Sequence, residues 1–242
     1  MWESRRIAGA AGVVLTGLLV VAFALDLTII GTTGGPPVIA LGALGPDLQR
    51  AAGSAVWPLE TWLYTLQIVP FGVFILGVRS AYRGTAAEWI AGAATVSGLL
   101  FMILHTLHNL AILAVVQVLA PAYVAGAPDA PAIEATARGL LGLANAAFLP
   151  GGGVGGALLV LVTAGFAIAD GRARGLASPW SGRFAWAAAG LSAIAYAQSV
   201  VPAMLAVALV GFLGFIGWVA LSSMSPLRAA PRASVVIPAG AA

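Results

Sequence analysis

Residues 88–120 read EWIAGAATVSGLLFMILHTLHNLAILAVVQVLA. Glu88 opens the run, and no further charge interrupts it before Pro121. A bilayer's hydrocarbon core is crossed by about 20 apolar residues in a helix. These 33 residues are too long and too apolar for a helix of a soluble core. The apolar residues are continuous, whereas a transmembrane barrel strand alternates apolar and polar over about 10 residues. The stretch predicts a membrane helix that either tilts and projects or breaks near His108-Asn109.

Composition extends that reading to the whole chain. Of 242 residues, 61% are hydrophobic and 8% charged, and mean hydropathy is +1.02. A soluble domain carries about 25% charged residues, so there is too little charge here to cover a water-facing surface. The expected class is all-α, a polytopic membrane helix bundle. The chain has no cysteine, which excludes disulfides, thiolate metal sites and cysteine catalysis. It also has no lysine; all eleven basic residues are arginine. Schiff-base chemistry and a phosphate-loop lysine are therefore excluded. The net charge of +3 is no nucleic-acid signal, because the arginines flank apolar runs.

Working outward, further apolar runs predict six spans at about 7–30, 57–78, 88–112, 151–169, 183–200 and 203–222. Together they form one transmembrane domain over 1–224, followed by a disordered cytoplasmic tail, 225–242. Arg5, Arg6 and the later Ala22-Phe23-Ala24 have the order of a signal peptide. The run is longer than the roughly 7–15 residues of a secretory core, so it is read as a retained span. Gly31 to Ala55 is a loop with a short interfacial helix around Pro46 to Ala52. Trp57-Pro58 opens the second span, since proline fits a helix's first turn, and Pro70 predicts a kink. Residues 135–148 read as an interfacial or re-entrant segment before span four.

Six spans place both termini on one side, together with Arg5, Arg6, Arg79, Arg83, Arg172, Arg174, Arg183, Arg228 and Arg232. Only Arg50 and Arg138 fall on the other. This obeys the positive-inside rule with both ends cytoplasmic. Glycines such as Gly211, Gly214 and Gly217 are read as close helix contacts.

At 1.5 Å per residue, Asp26, Glu60, His105, His108, Gln198 and Asn145 all fall in the outer half of the bilayer. Ionisable groups at such depth are costly and face the bundle interior. The expected result is an outward-facing polar pocket, with Gln67, Asn109, Asn145 and Gln198 as ligand-binding candidates. Asp26 and Glu60 are the catalytic candidates. His105 and His108 share one helix face; with Glu60 they make a His-His-carboxylate set suited to zinc or iron. The bland alternatives stand beside these: histidines that bond neighbouring helices, acids at an interface or, for Glu60, in a helix's first turn. Trp57, Trp62, Tyr64 and Trp89 read as interfacial anchors.

Two resemblances follow from these residues. The opening Arg-Ile-Ala-Gly, the polar outer loop, the acidic-aromatic second span and the basic loop before Phe184-Ala185-Trp186 resemble a family of small six-span bacterial membrane proteins of unknown function. That resemblance implies a bacterial cytoplasmic (inner) membrane location and a multi-pass topology. Locally, Trp57 to Gln67 resembles the Pro-x-Glu-Glu stretch of bacterial membrane lycopene cyclases, in which an acid protonates a polyene. Here Thr61 stands where a second glutamate is expected, and the motif has no second copy.

Three functions remain open from sequence. The first is binding or transport of a small ligand. The second is an intramembrane enzyme, either a metal-dependent hydrolase or an acid-catalysed isoprenoid cyclase. The third is a structural subunit of a membrane complex. The expected partners are the lipid bilayer and a second copy or another membrane subunit, not nucleic acid.

Overall fold

The computed structural model describes residues 2–33, 44–147, 153–173, 179–195 and 205–228. All regular structure among them is helical. The helices are α1 (Trp2–Thr33), α2 (Leu44–Ala52), α3 (Val56–Leu66), α4 (Ile68–Ser80) and α5 (Glu88–Ala114). A π-helical turn, Val115–Leu119, leads into α6 (Ala120–Ala122). Then follow α7 (Ala130–Ala147), α8 (Gly153–Ala173), α9 (Pro179–Ala195) and α10 (Leu205–Arg228).

Four stretches are long and apolar enough to cross a membrane: Arg6–Ile29, Val56–Ser80, Glu88–Ala122 and Val154–Ala173. The apolar part of α10, Leu209–Met224, is shorter, and α9 has 17 residues. Phe148, Gln198 and Pro202, and the tail beyond Arg228, lie outside the described residues.

Several expected boundaries move, each for a local reason. The second span breaks at Gln67, three residues before Pro70. Pro70 has no N–H for the Leu66 carbonyl and its ring crowds that carbonyl. The chain responds by tightening, with Gln67 N–H donating to Tyr64 O at 3.3 Å, and the ladder resumes with Phe71 N–H on Gln67 O at 3.0 Å. The third run does not break at His108-Asn109. It stays α-helical to Ala114 and loosens into the π turn, where Ala120 N–H reaches back to Val115 O. Pro121, which cannot donate to residue 117, follows at once. Residues 130–147 form a full helix with Pro131 in its first turn. The helix α10 runs to Arg228, past the expected tail boundary at 225.

The helix interior holds two apolar clusters. The larger joins α1, α4, α5, α8, α9 and α10 through Phe71, Phe74, Phe166, Phe215 and Trp218. The smaller joins Ile29, Leu44, Leu48, Trp57, Val116, Ala120 and Leu141. The end of the bundle carrying α2 is called upper below, and the turn between α4 and α5 marks the lower end.

Close approach is bought with small residues. At the α5–α8 crossing, a Cβ on Gly165 would stand 2.7 Å from Ala94 Cβ, and one on Gly98 would stand 2.8 Å from Val162. Overpacking there costs about 1–3 kcal/mol. On α10, Gly211, Gly214 and Gly217 face Leu191, Ala188 and Phe184 of α9, as the small-residue spacing predicts.

Candidate functional site

Three helices carry polar residues in the gap between the two apolar clusters. On α1, Asp26 lies between Leu19 and Ile29. On α3 and at its C-terminal end, Glu60, Tyr64 and Gln67 lie between Trp57 and Phe71. On α5, His105 and Asn109 lie between Met102 and Val115. All of these except Asp26, which is partly buried, are buried. The α3 spacing of 60, 64 and 67 is a helical face, which turns the whole set toward α1 and α5.

The centre is a carboxyl pair. Asp26 and Glu60 stand within hydrogen-bonding reach of each other, and the Tyr64 hydroxyl donates to Asp26 Oδ2 at 2.5 Å. Ionised carboxylates only accept hydrogen bonds, so a bond between two acids so placed would need a shared proton. Neither acid is paired with an arginine among the described residues. Helix-end stabilisation is absent as well. Glu60 was expected in a first turn, but α3 begins at Val56, leaving Glu60 one turn inside.

Aromatic rings hold the third member. The His105 ring stacks on Phe101 at 5.8 Å and 7° and meets the Tyr64 ring edge-on at 5.3 Å. Asn109 Nδ2 donates to His105 O at 2.8 Å along the same helix. One turn closer to the lower end than Tyr64, Gln67 is 2% exposed, and its Nε2 has no hydrogen-bond partner among the described residues. Below it the large aromatic cluster begins at Phe71.

His108 leaves this group. Its Nδ1 lies 3.0 Å from Ala144 O on α7. A carbonyl only accepts, so Nδ1 carries the proton. Asn145 is the next residue on α7 and is half-buried. Among the described residues no group of three or more His, Asp or Glu side chains stands close enough to hold a metal ion. His105, His108 and Glu60 are thus not gathered into the zinc or iron set that their spacing suggests.

Two participants were not singled out by sequence. Tyr64, grouped with the interfacial anchors, is buried at the pair, as is Trp57 in the upper cluster, while Trp62 and Trp89 are exposed. The signal for Tyr64 was its i,i+4 relation to Glu60. The second is Tyr82, in the turn after α4. It is fully buried, and its hydroxyl lies 3.5 Å from Asp170 Oδ1. Burial raises Tyr82 above the ordinary tyrosine range, and the neighbouring Asp170 charge adds to the rise.

No protein-family model matches the chain, and no curated protein or solved structure matches it.

Proposed function

We propose that this chain is a six-span protein of a bacterial cytoplasmic membrane, with both ends cytoplasmic, that binds or transports a small ligand together with a proton held by Asp26 and Glu60. The observation that carries the reading is the close approach of two acids on different helices, deep in apolar segments and with no cationic partner among the described residues. Such a pair is costly in a membrane unless it is used.

The bundle's surface supports the setting. Val13, Val20, Val69, Leu76, Leu100, Leu107 and Leu161 are exposed along the helix lengths, where a soluble protein of this size would place charge. With α9 and α10 as spans five and six, Arg6, Arg79, Arg83, Arg172 and Arg183 of the described residues lie toward the lower side and Arg50 and Arg138 toward the upper. The upper side is then the outside, and the acid pair lies nearer to it. Gln67 and Asn109 are the polar groups available for orienting a ligand beside the pair, with Asn145 on α7 a further candidate.

Infrared spectroscopy of the purified protein in lipid nanodiscs tests this directly. Wild type at neutral pH should show the carbonyl band of a buried protonated carboxyl, and Glu60→Gln and Asp26→Asn should each remove it. A wild-type spectrum without that band sinks the proposal. A dye-reported proton flux in proteoliposomes, abolished by Glu60→Gln, separates transport from binding alone.

A second reading draws on the rings. Tyr64 lies 6.5 Å from Phe212 and beside His105, which stacks on Phe101. A carboxylic acid among aromatic faces can protonate an alkene and stabilise the cation through the ring quadrupoles. Incubation with an acyclic polyene would then give a cyclic isomer of unchanged composition, dependent on Glu60.

A further inference from the structure

Buried hydroxyls in this bundle have a usual partner. Thr61, Thr95, Thr163 and Ser223 each donate to the carbonyl four residues back in their own helix. Ser222 does not, although it is as fully buried as its neighbour Ser223, each 0% exposed. Its Oγ has no hydrogen-bond partner among the described residues, and neither has Nε1 of Trp218, also 0% exposed. The two residues lie one turn apart on one face of α10. An unpaired buried polar group is costly, and two on one helix face point to a shared occupant.

Ring contacts show where that face points. Trp218 stacks on Phe166 of α8 at 5.7 Å and 27°, and it meets Phe74 of α4 edge-on at 5.7 Å. Phe166 also faces Tyr82, at 6.2 Å. The pairs Phe71–Phe215 and Phe74–Trp218 set α10 parallel to α4, and Ala94–Gly165 with Gly98–Val162 set α8 antiparallel to α5. Both α8 and α10 therefore descend to the lower end. One turn below Phe166 and Trp218 come Asp170 and Ser222, and the Tyr82 hydroxyl lies 3.5 Å from Asp170 Oδ1. Asp170 is only half-buried, so a polar approach leads from the lower water toward Trp218 and Ser222. Above them the bundle is dry. The rings of Phe71, Phe101 and Phe215 stand 6.2, 6.2 and 6.3 Å from one another, between Gln67 and Trp218.

The donors select the occupant. An indole N–H only donates, so the occupant must accept a hydrogen bond, which excludes a bare cation. The Asp170 carboxylate at the same level repels an anion. A small neutral group that both donates and accepts fits, and water is that group.

We propose that Trp218 Nε1 and Ser222 Oγ bind water, and that this water is the lower station of a route whose upper station is the Asp26–Glu60 pair, with the Phe71–Phe101–Phe215 trio as the dry layer between them. The water site stands on α10 and its neighbours; its place in a proton route rests on the reading of the acid pair. The approach from below needs a polar side chain at position 170, not a charge.

Hydroxyl-radical footprinting by X-ray radiolysis in lipid nanodiscs tests the site, because radicals formed from a bound water attack the ring that holds it. In wild type Trp218 should be oxidised faster than Trp57, although Trp57 is the more exposed, 8% against 0%. Ser222→Ala removes one of the water's partners. It should slow oxidation of Trp218 roughly threefold to tenfold, the occupancy lost with one hydrogen bond, and leave Trp57 unchanged. Slower oxidation of Trp218 than of Trp57 in wild type overturns the water site, and so does an unchanged Trp218 rate in Ser222→Ala. Faster oxidation of both tryptophans in that variant would mean a loosened bundle, and the wild-type comparison then decides. In proteoliposomes Ser222→Ala should slow proton flux by the same factor; an unaltered flux, or none in wild type, overturns the lower station. Oxidation reads water and not protonation. A missing carboxyl band with Trp218 oxidised therefore breaks the proton reading and leaves the water site, whereas a normal band with Trp218 protected breaks this inference alone.

Discussion

Tyr64 and Tyr82 each give a hydroxyl to an aspartate at opposite ends of one bundle, and the two pairs are built differently. The lower carboxylate, Asp170, lies against the start of α9, where a Cβ on Gly182 would stand 3.2 Å from its Oδ2. A helix's first turn has unused N–H groups and the positive end of the helix dipole. That environment stabilises a negative charge, so Asp170 needs no second acid, and its 3.5 Å contact with Tyr82 is long. The upper carboxylate, Asp26, lies within α1, where the backbone N–H groups are already used by the helix. It has a short bond from Tyr64 and a second carboxyl, Glu60, instead. A carboxylate at a helix end is held as a charge. On the reading proposed above, two carboxyls inside helices are held by sharing a proton. Only the second arrangement stores something that can be exchanged.

The largest expected effect is at Glu60. Glu60→Gln should abolish the buried carboxyl band and any proton flux, whereas Asp170→Asn should leave both intact; loss of the band with Asp170→Asn would overturn the contrast. Next comes Tyr64→Phe, which strips Asp26 of a hydroxyl donor inside the bundle. It should lower stability by about 1–3 kcal/mol, read by denaturant titration in mixed micelles. Asp170→Asn should cost less, about 0.3–1 kcal/mol for a charge at a helix start, and that loss should shrink as salt is added.

The smallest effect is Tyr82→Phe, below about 1 kcal/mol at neutral pH given the long contact. Its signature is the pH dependence. Because the folded state raises Tyr82, the stability that comes from keeping it protonated is fully present below about pH 10 and declines above it. Wild type should lose stability on that alkaline limb, and Tyr82→Phe should lose less. Equal slopes would mean that Tyr82 is not held by Asp170 and burial.

The depth argument put Asp26, Glu60 and His105, with His108, Asn145 and Gln198, in one half of the bilayer, because rise per residue is fixed in a helix. It could not say which side of each helix faces inward, since the runs are apolar all round. Tyr64 was thereby assigned to the interface, and His108 was grouped with His105 although its ring turns to Ala144. The kink was read from Pro70, but its place at Gln67 depends on which carbonyl the proline ring displaces. Of the two alternatives for the third run, a long helix or a break at His108-Asn109, the long helix is the one formed; Asn109 bonds along its own helix to His105 O without disturbing the ladder.

By itself the sequence determined the all-helical class of the molecule and its long apolar helices. Both follow from local chemistry: the length and continuity of the apolar runs. The tertiary structure decided which polar groups meet. It brought Glu60 beside Asp26, joined Asp26 to Tyr64 and sent His108 to α7. Those pairings depend on rotation of each helix about its axis. In a uniformly apolar helix that rotation is set by packing against neighbours, which no single segment encodes.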